Sequence, residues 1–408
     1  MNRTPMKFYN LLIFLILLIA VCCKDNNNQM IDRKAVVERH KIISTTDNPK
    51  SPAQVGNGEM AFGVDITGLQ TFTPHYTMSH WSWHSFPLPE GLHTEDFKGK
   101  IWDTYGRPVR YDDWNDEQPE LSEWLAGNPH SFNLGRIGFV MTKKDGTTVS
   151  LGDLKNTRQE IDLWTGMITS NFELENIPVS VKTTCHGTKD AIAVEVESDL
   201  IRNGNILVEF TFPYPDKSQQ VRNTFDQPEK HSTQIIHADK NAVKMQRLMD
   251  ETRYGVSVNW ITDAVFNEYA EHTFRLMPES GNKLSFVCTF SESPDEEATL
   301  DFAACRQSSI DTWEEFWMSG AAIDLSESAD PRWKELERRI VLSQYVMRLN
   351  EAGSWPPQES GLVNNGWYGR FHFEMIWWHG AHYALWDRWP LFDKSLHVYR
   401  DFLPTSVE

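Results

Sequence analysis

The chain has 408 residues, of which 40% are hydrophobic, so its length and composition predict two folded domains rather than one. Its 39 basic and 57 acidic residues give a net charge of −18. This charge argues against a nucleic-acid partner, because phosphate binding needs a basic surface, whereas neutral ligands such as sugars remain compatible. The 16 tryptophans fit either an aromatic-rich core or a cleft that stacks indole faces on sugar rings.

Residues 1–29 are predicted to be a signal peptide followed by a polar tether. A positively charged start precedes an apolar run, residues 11–21, that is too short to span a bilayer. The run ends in Leu-Ile-Ala-Val-Cys-Cys, which resembles a bacterial lipobox and predicts lipidation at Cys22, with Cys23 as the alternative. We therefore expect export to the periplasm or outer membrane, with membrane contact only through the lipid anchor. Cleavage without lipidation is the other interpretation.

Residues 30–305 are predicted to form a large antiparallel β-sandwich. Apolar residues alternate with other side chains, which places them on one sheet face that a second layer must cover. The alternating sets are Ile177, Val179 and Val181; Ile192, Val194 and Val196; Ile206, Val208, Phe210 and Phe212; Val256, Val258 and Trp260; and Leu284, Phe286, Cys288 and Phe290.

The segment from about residue 72 to 135 differs from its surroundings, since it is rich in Trp and His and has little periodicity. Such an insertion is either functional or packs over an interface, and packing is the favoured interpretation.

Cys185, Cys288 and Cys305 lack C-x-x-C spacing, so no zinc knuckle is predicted. One disulfide among these three remains open, with no pairing indicated. Neither a metal nor a cofactor is predicted.

The pattern becomes helical after residue 305. Residues 306–329 are predicted to be a linker helix region, in which Ile310, Trp313 and Trp317 recur at helical spacing. A helix is expected to start at Asp330-Pro331 and to present a stripe of apolar side chains. That stripe comprises Trp333, Leu336, Ile340, Val341 and Tyr345. Two further helices are predicted, over residues 371–389 and 392–402, each followed by a proline that ends it.

The residues from 361 to 389 carry the features most typical of a binding site. A glycine-rich loop leads into a predicted helix whose first turn holds carboxylate, basic and aromatic side chains. Aromatic rings can stack on a sugar ring while a carboxylate accepts hydrogen bonds from two adjacent hydroxyls. The predicted substrate-binding residues are Trp367, Tyr368, Arg370, His372, Phe373 and Glu374. His379 and His382, three residues apart, leave a metal site as a remote alternative.

This loop resembles the family 65 glycoside hydrolases and their six-hairpin relatives, the maltose and trehalose phosphorylases and acid trehalases. Those proteins carry G-Y-x-G-H-x-F-W-D-x-E where this chain has G-W-Y-G-R-F-H-F-E-M-I, beginning at Gly366. The resemblance implies that Phe373 and Glu374 hold the sugar beside the scissile bond, as the family's Trp–Asp pair does. Phenylalanine offers a smaller stacking area and glutamate a longer side chain. The sequence from Val55 to Gly58 is similar to the family's G-N-G turn at the start of the sandwich.

The resemblance implies an α+β multidomain fold, in which the β-sandwich is followed by the first helices of an (α/α)₆ barrel in residues 330–408. Only about a hundred residues follow Cys305, room for roughly four helices of ordinary length. We therefore expect an incomplete barrel, as in a fragment or a chain completed by a partner, and assign no catalytic residue. The expected function is inverting hydrolysis of an oligosaccharide. The alternative is a surface lipoprotein that binds glycans without cleaving them.

Overall fold

A computed structural model of the protein describes residues 30–73, 75–218, 223–294, 299–363 and 366–407. The predicted signal peptide, its tether and Cys22 lie outside these residues. Within the described ranges, no helix has both the length and the apolar character needed to cross a bilayer.

The first two-thirds of the described chain consists mainly of β-strands. Strands before residue 150 are β1 (Ile42–Ser44), β2 (Ala53–Gly56), β3 (Met60–Val64), β4 (Thr77–Ser79), β5 (Trp83–His84), β6 (Lys100–Thr104), β7 (Arg107–Tyr111), β8 (His130–Ser131) and β9 (Arg136–Met141). Those that follow are β10 (Lys155–Asp162), β11 (Met167–Leu174), β12 (Ile177–Cys185), β13 (Ala191–Glu197), β14 (Ile206–Thr211), β15 (Tyr214–Pro215), β16 (Asn223–Thr224), β17 (His231–Asp239), β18 (Ala242–Met249), β19 (Thr252–Trp260), β20 (Ala264–Ala270), β21 (Thr273–Pro278) and β22 (Lys283–Ser291).

Two antiparallel sheets form the sandwich. The larger has the strand order β1-β10-β11-β12-β13-β22-β19-β18-β17, and the smaller has the order β20-β21-β14-β9. Their inner faces meet in a core where the rings of Phe210 and Phe286 lie 5.5 Å apart, edge to face. A small sheet of β2, β3 and β4 extends the same core toward the helices.

The predicted alternation is confirmed by the pattern of burial in the sandwich. Every alternating apolar residue named above is buried except Ile177, which is partly buried against the core. Strands β13 and β22 go further, since nearly all their residues are buried on both faces. The outer face of these two strands is covered by a helix, and alanines at 191 and 193 leave room for it.

The described helices are α1 (Arg33–Glu38), α2 (Pro119–Gly127), α3 (Asp199–Arg202), α4 (Phe302–Met318), α5 (Trp333–Glu351), α6 (Met375–Leu385), α7 (Trp389–Asp401) and α8 (Leu403–Val407). Helix α4 is the one that packs on β13 and β22, through Phe302 and Cys305. Its Trp317 indole donates to the Leu163 carbonyl at 2.7 Å, which fixes the helix to the larger sheet. These helices after the sandwich confirm the predicted fold class.

Several helix bounds differ from the sequence predictions. Helix α5 begins at Trp333 rather than at Pro331, because the Asp330 carboxylate accepts hydrogen bonds from both the backbone and the guanidinium of Arg332 in a separate turn. Pro390 lies in the first turn of α7 instead of ending a helix. A first-turn proline fits because the N–H that it lacks would have no partner inside the helix.

The buried face of α5 also differs from the predicted stripe. Leu336 is 54% exposed, whereas the neighbouring Glu337 is fully buried. The Glu337 carboxylate lies 2.7 Å from His40 Nε2 and accepts a hydrogen bond from the Leu325 amide at 2.6 Å. A buried carboxylate with these partners is stable where an apolar residue was expected, and periodicity alone does not reveal it.

A glycine-containing turn joins the sandwich to the end of α5. Asn57 lies between β2 and β3, and its amide donates to the carbonyls of His186 and Lys189 while accepting from two backbone amides. The amide of Gly58, whose φ is +96°, donates to the Leu349 carbonyl at 3.0 Å. The predicted G-N-G turn is therefore a structural link between the two regions.

Candidate functional site

The loop between α5 and α6 carries the predicted binding residues. Trp367, Tyr368 and Gly369 form a short turn in which all three have positive φ, a conformation that costs energy for the two aromatic residues. Tyr368 packs edge-on against His130 of β8, with ring centroids 5.7 Å apart. The turn is thus held on the sandwich by contacts distant in sequence.

Arg370 fastens this loop to the sandwich. Its Nε donates to the Pro129 carbonyl at 3.1 Å, and its Nη2 donates to the carbonyls of Leu125 and Asn128. Burial lowers the pKa of Arg370 below its usual value, with Tyr368 opposing that effect. Because backbone carbonyls occupy its donors, the guanidinium positions the loop at the junction of the two regions.

His372, Phe373 and Glu374 precede α6 instead of forming its first turn. His372 lies edge-on to Trp367 at 5.7 Å, and its buried Nε2 has no hydrogen-bond partner among the described residues. Phe373 is half exposed and contacts Phe371 on its own loop. Glu374 occupies the N-cap position of α6, but its side chain is exposed and caps no backbone amide.

A cleft of about 690 Å³ lies between the sandwich and this loop, a size typical of small-molecule sites. One wall comes from the segment around β4 and β5, including His80, Trp81 and Trp83. The opposite wall comes from the helical region, including Trp355 and Phe371. Of the predicted binding residues, Arg370 lines this cleft, whereas Trp367, Tyr368, His372, Phe373 and Glu374 do not.

The two sandwich tryptophans in the cleft have their polar edges satisfied by the protein. The Trp81 indole donates to Asp190 at 2.7 Å, and the Trp83 indole donates to the His80 carbonyl at 2.7 Å. Asp190 is partly buried and also accepts from the Ser79 hydroxyl, and its desolvation raises the pKa of the carboxyl despite these bonds. With their N–H groups bonded, the two indoles can offer a ligand only their apolar faces, which suits the C–H face of a sugar.

A charged pair stands at the edge of this cleft. His80 Nδ1 and Glu59 Oε2 are 2.8 Å apart, a close ion pair that lacks the alignment of a straight hydrogen bond. The same carboxylate oxygen accepts from the backbone and hydroxyl of Ser354, the residue before Trp355 of the opposite wall. Burial opposes ionisation of Glu59, but His80 and Ser354 outweigh it and lower its pKa to about 2. Burial alone would lower the pKa of His80, and the Glu59 carboxylate raises it.

The histidines and cysteines singled out by the sequence do not form a metal site or a disulfide in the described part of the chain. His379 and His382 each have Nε2 within 3.0 Å of a backbone carbonyl, those of Glu359 and His379 respectively. In the described part of the chain, no group of three or more His, Cys, Asp or Glu residues is placed to hold a metal ion. Cys185, Cys288 and Cys305 are all buried free thiols, so the disulfide left open by the sequence is not formed.

The fold has relatives among solved structures, although the sequence matches no protein-family model and no curated protein. A protein described as a kojibiose phosphorylase from the human microbiome superposes with a TM-score of 0.54 and 9% identity. The match covers 85% of this chain and 47% of that chain. This chain therefore shares the fold of the matching part of that protein. It spans about half the length of this relative.

Two further solved structures superpose with lower TM-scores. A bacterial glucoamylase in complex with acarbose has a TM-score of 0.43 and 10% identity, over 69% of this chain and 45% of that chain. A family GH92 α-mannosidase from Bacteroides thetaiotaomicron has a TM-score of 0.24 and 8% identity, over 58% of this chain and 35% of that chain.

Sequence reasoning missed most of the residues that line the cleft. Trp81 and Trp83 belong to the segment 72–135, for which packing was the favoured interpretation. That interpretation holds for Trp124, whose indole donates to the Phe86 carbonyl, but Trp102 and Trp114 are exposed. The density of tryptophan and histidine in a segment without periodicity was the available signal, since long irregular insertions in β domains are often functional.

Proposed function

We propose that the protein binds an oligosaccharide in the cleft between its sandwich and its helices and hydrolyses a glycosidic bond with inversion. The observation that carries this proposal is the pair of aromatic walls, with Trp81 and Trp83 facing the side that carries Trp355 and Phe371. Aromatic faces with a few polar groups between them are suited to a neutral, ring-shaped ligand. The fold shared with the kojibiose phosphorylase gives further support.

Inverting hydrolysis requires a carboxylic acid and a carboxylate base, spaced about 6.5–9.5 Å apart so that a water molecule fits between base and sugar. Glu292 is the carboxylate that lines the cleft among the residues described. We propose that it supplies one of the two groups. The second would come from residues outside the described ranges or from a partner chain that completes the barrel.

We further propose that the protein acts outside the cytoplasm and is anchored by a lipid on Cys22. This proposal rests on the charged start, short apolar run and lipobox-like sequence of residues 1–23. Export also favours water over phosphate as the attacking group, because phosphate-dependent enzymes work where phosphate and sugar phosphates are retained. Loss of palmitate labelling in Cys22→Ser would identify the modified cysteine, and label retained there but lost in Cys23→Ser would assign its neighbour.

A second function is a glycan-binding lipoprotein without catalysis. The single carboxylate in the described part of the cleft favours it, because one carboxyl group cannot act as both acid and base in an inverting step. The two functions share the same cleft and differ only in whether bonds are broken.

A hydrolysis assay separates the two functions. The full chain is incubated with neutral gluco- and manno-oligosaccharides, with and without phosphate, and the anomer released is followed by NMR. Phosphate-independent release of an inverted product supports hydrolysis. Saturable binding without product supports the binding protein, and the absence of both overturns the assignment to sugars.

Two variants then locate the binding site. Trp355 is 40% exposed on the loop, so Trp355→Ala should lower the affinity about fivefold while leaving the fold intact. Trp377 is 69% exposed on α6 and lines none of the described clefts, so Trp377→Ala is the matched control. Glu374→Ala tests the resemblance-based prediction. A large loss there, with none in Trp355→Ala, would move the site to the outer face of the loop.

A further inference from the structure

A second concave surface adjoins the aromatic cleft. It encloses about 710 Å³ and is lined by Arg110 of β7, by the segments that flank the β6–β7 hairpin (residues 94–97 and 112–114), by residues of α2 and by Arg370. Arg370 also lines the first cleft, where its side chain is held by the carbonyls of Leu125, Asn128 and Pro129. The two cavities therefore meet at Arg370, whose side chain is held by the carbonyls of the 125–129 turn.

The second cavity has its own exposed aromatic residue. Trp114 is 45% exposed and lines the cavity, and its indole makes no ring contact with another aromatic residue in the described part of the chain. The backbone at this position is held locally, since the Trp114 amide donates to the Asp113 carboxylate at 2.7 Å. That carboxylate also accepts from the Trp102 indole at 3.1 Å, which braces the end of the hairpin. An indole face held open to solvent by such bonds is available for stacking.

The charges around this cavity indicate which ligands it can accept. Glu95, Asp112 and Asp113 line it, and the two basic side chains present are already engaged. Arg110 donates to Asp112 at 2.9 Å and to the Lys98 carbonyl at 2.8 Å, while Arg370 donates to backbone carbonyls. No basic group in the lining is thus left to neutralise an anionic ligand, and the carboxylates would repel one. Hydroxyl groups, by contrast, can donate to these carboxylates.

We propose that the two cavities form one groove that crosses Arg370 and binds an uncharged oligosaccharide of several units. Trp81 and Trp83 would hold one part of the chain, and Trp114 would stack on a unit farther along. Each cavity already has the size of a complete small-molecule site, so a mono- or disaccharide would fill only one of them. This inference rests on the proposed function and adds the ligand's length and charge.

The test measures affinity against chain length by calorimetry on the full chain. The probes are neutral gluco- and manno-oligosaccharides of one to six units, together with an oligogalacturonate of matched length. We expect the affinity to rise with length, and Trp114→Ala to remove a gain of about five- to tenfold for the longest probes while leaving mono- and disaccharide binding unchanged. The uronate should bind more weakly than any neutral chain of the same length.

A control and a second variant keep the outcome interpretable. Tyr105 lies at the tip of the same hairpin, fully exposed and outside the cavity, so Tyr105→Ala should behave as the unmodified protein. If Trp114→Ala unfolds the hairpin, Asp113→Asn at the same wall should still weaken the long probes selectively. Affinity that is independent of length, or equal for the uronate, overturns the groove but leaves sugar binding in the first cleft standing. Absence of binding to every probe overturns both.

Discussion

The sandwich and the helical region of this chain are held together in different ways. In the sandwich, stability comes from apolar side chains that alternate along the strands and meet in one core, such as Phe210 against Phe286. The loop after α5 buries Leu362 and Val363 in that core, but beyond them it depends on individual contacts to distant residues, such as those of Arg370 to the carbonyls of the 125–129 turn. The sandwich should therefore tolerate the loss of any one hydrogen bond, whereas the position of the loop depends on a few individual contacts.

A core truncation should show the largest contrast between the two regions. Phe210 is fully buried in the sandwich, so Phe210→Ala should lower the free energy of unfolding by about 3–5 kcal/mol. Phe373 is half exposed on the loop, so Phe373→Ala should cost less than about 1 kcal/mol. Urea unfolding followed by circular dichroism measures both. Equal losses would mean that the loop is packed as tightly as the sandwich.

One added methyl group at the junction between sandwich and helices should lower the free energy of unfolding nearly as much as the Phe210 truncation does. A Cβ on Gly166, whose φ is +66°, would lie 2.0 Å from Trp313 Nε1 of α4. Gly166→Ala should therefore destabilise the protein by about 2–4 kcal/mol, from the clash together with the left-handed backbone. Gly204 has a φ of +72° and open space around it, so Gly204→Ala measures the backbone cost alone, about 1–2 kcal/mol. Equal effects of the two variants would contradict a tight α4 contact.

The same contrast explains what the sequence could and could not predict. Alternation in β12, β13, β14, β19 and β22 specified the buried face of the sandwich, because the strand period assigns each side chain to a face without reference to distant residues. The cleft depends on pairs such as Trp81 with Asp190 and Arg370 with Pro129, which lie 109 and 241 residues apart. No local pattern encodes such contacts.

Helical periodicity also predicted the wrong buried residue in α5, where a polar side chain is buried. Glu337 replaces Leu336 on the inner face of α5 because the charges and hydrogen-bond partners that satisfy it come from residues 39, 40 and 325. The resemblance to the family 65 motif correctly indicated the fold, and it singled out the loop that includes Arg370. It could not place Phe373 and Glu374 relative to the cleft, because that depends on the path of the loop after Gly369.

A buried carboxyl group gives the helical region a distinctive pH dependence. Glu351 lies between α5, α6 and α7, where burial raises its pKa from 4.5 to about 8 and its Oε2 has no partner among the described residues. The folded state therefore binds a proton that the unfolded chain releases above pH 4.5. The resulting stabilisation is full below pH 4.5 and is lost as pH rises toward 8, amounting to about 2–3 kcal/mol between pH 5 and 7.

Replacing the carboxyl by its neutral amide tests this assignment. Glu351→Gln should flatten the fall in stability between pH 5 and 8 and should be more stable than the unmodified protein near pH 8. Glu374→Gln, at an exposed site on the same region, should leave the curve unchanged. Urea unfolding monitored by tryptophan fluorescence across this range gives the measurement. A Glu351→Gln curve that parallels the original would place the titrating group elsewhere.

A smaller effect is expected at the Glu59–His80 ion pair at the edge of the cleft, because about a quarter of each side chain is exposed. The pKa of Glu59 is lowered to about 2, so its contribution is complete above pH 4.5 and is lost as the pH falls toward 2. His80 has a raised pKa, so its contribution is present below its ordinary pKa and is lost as the pH rises above the raised value. Between these limits both groups are charged, so Glu59→Gln should lower the free energy of unfolding near pH 6 and reduce its fall as the pH drops from 4.5 toward 2. Because Glu59 also accepts from Ser354 on the opposite wall, the same variant should raise amide hydrogen exchange in the 354–363 segment while strands β11 to β13 keep their protection. Uniform loss of protection would instead show that the walls unfold with the sandwich as one unit.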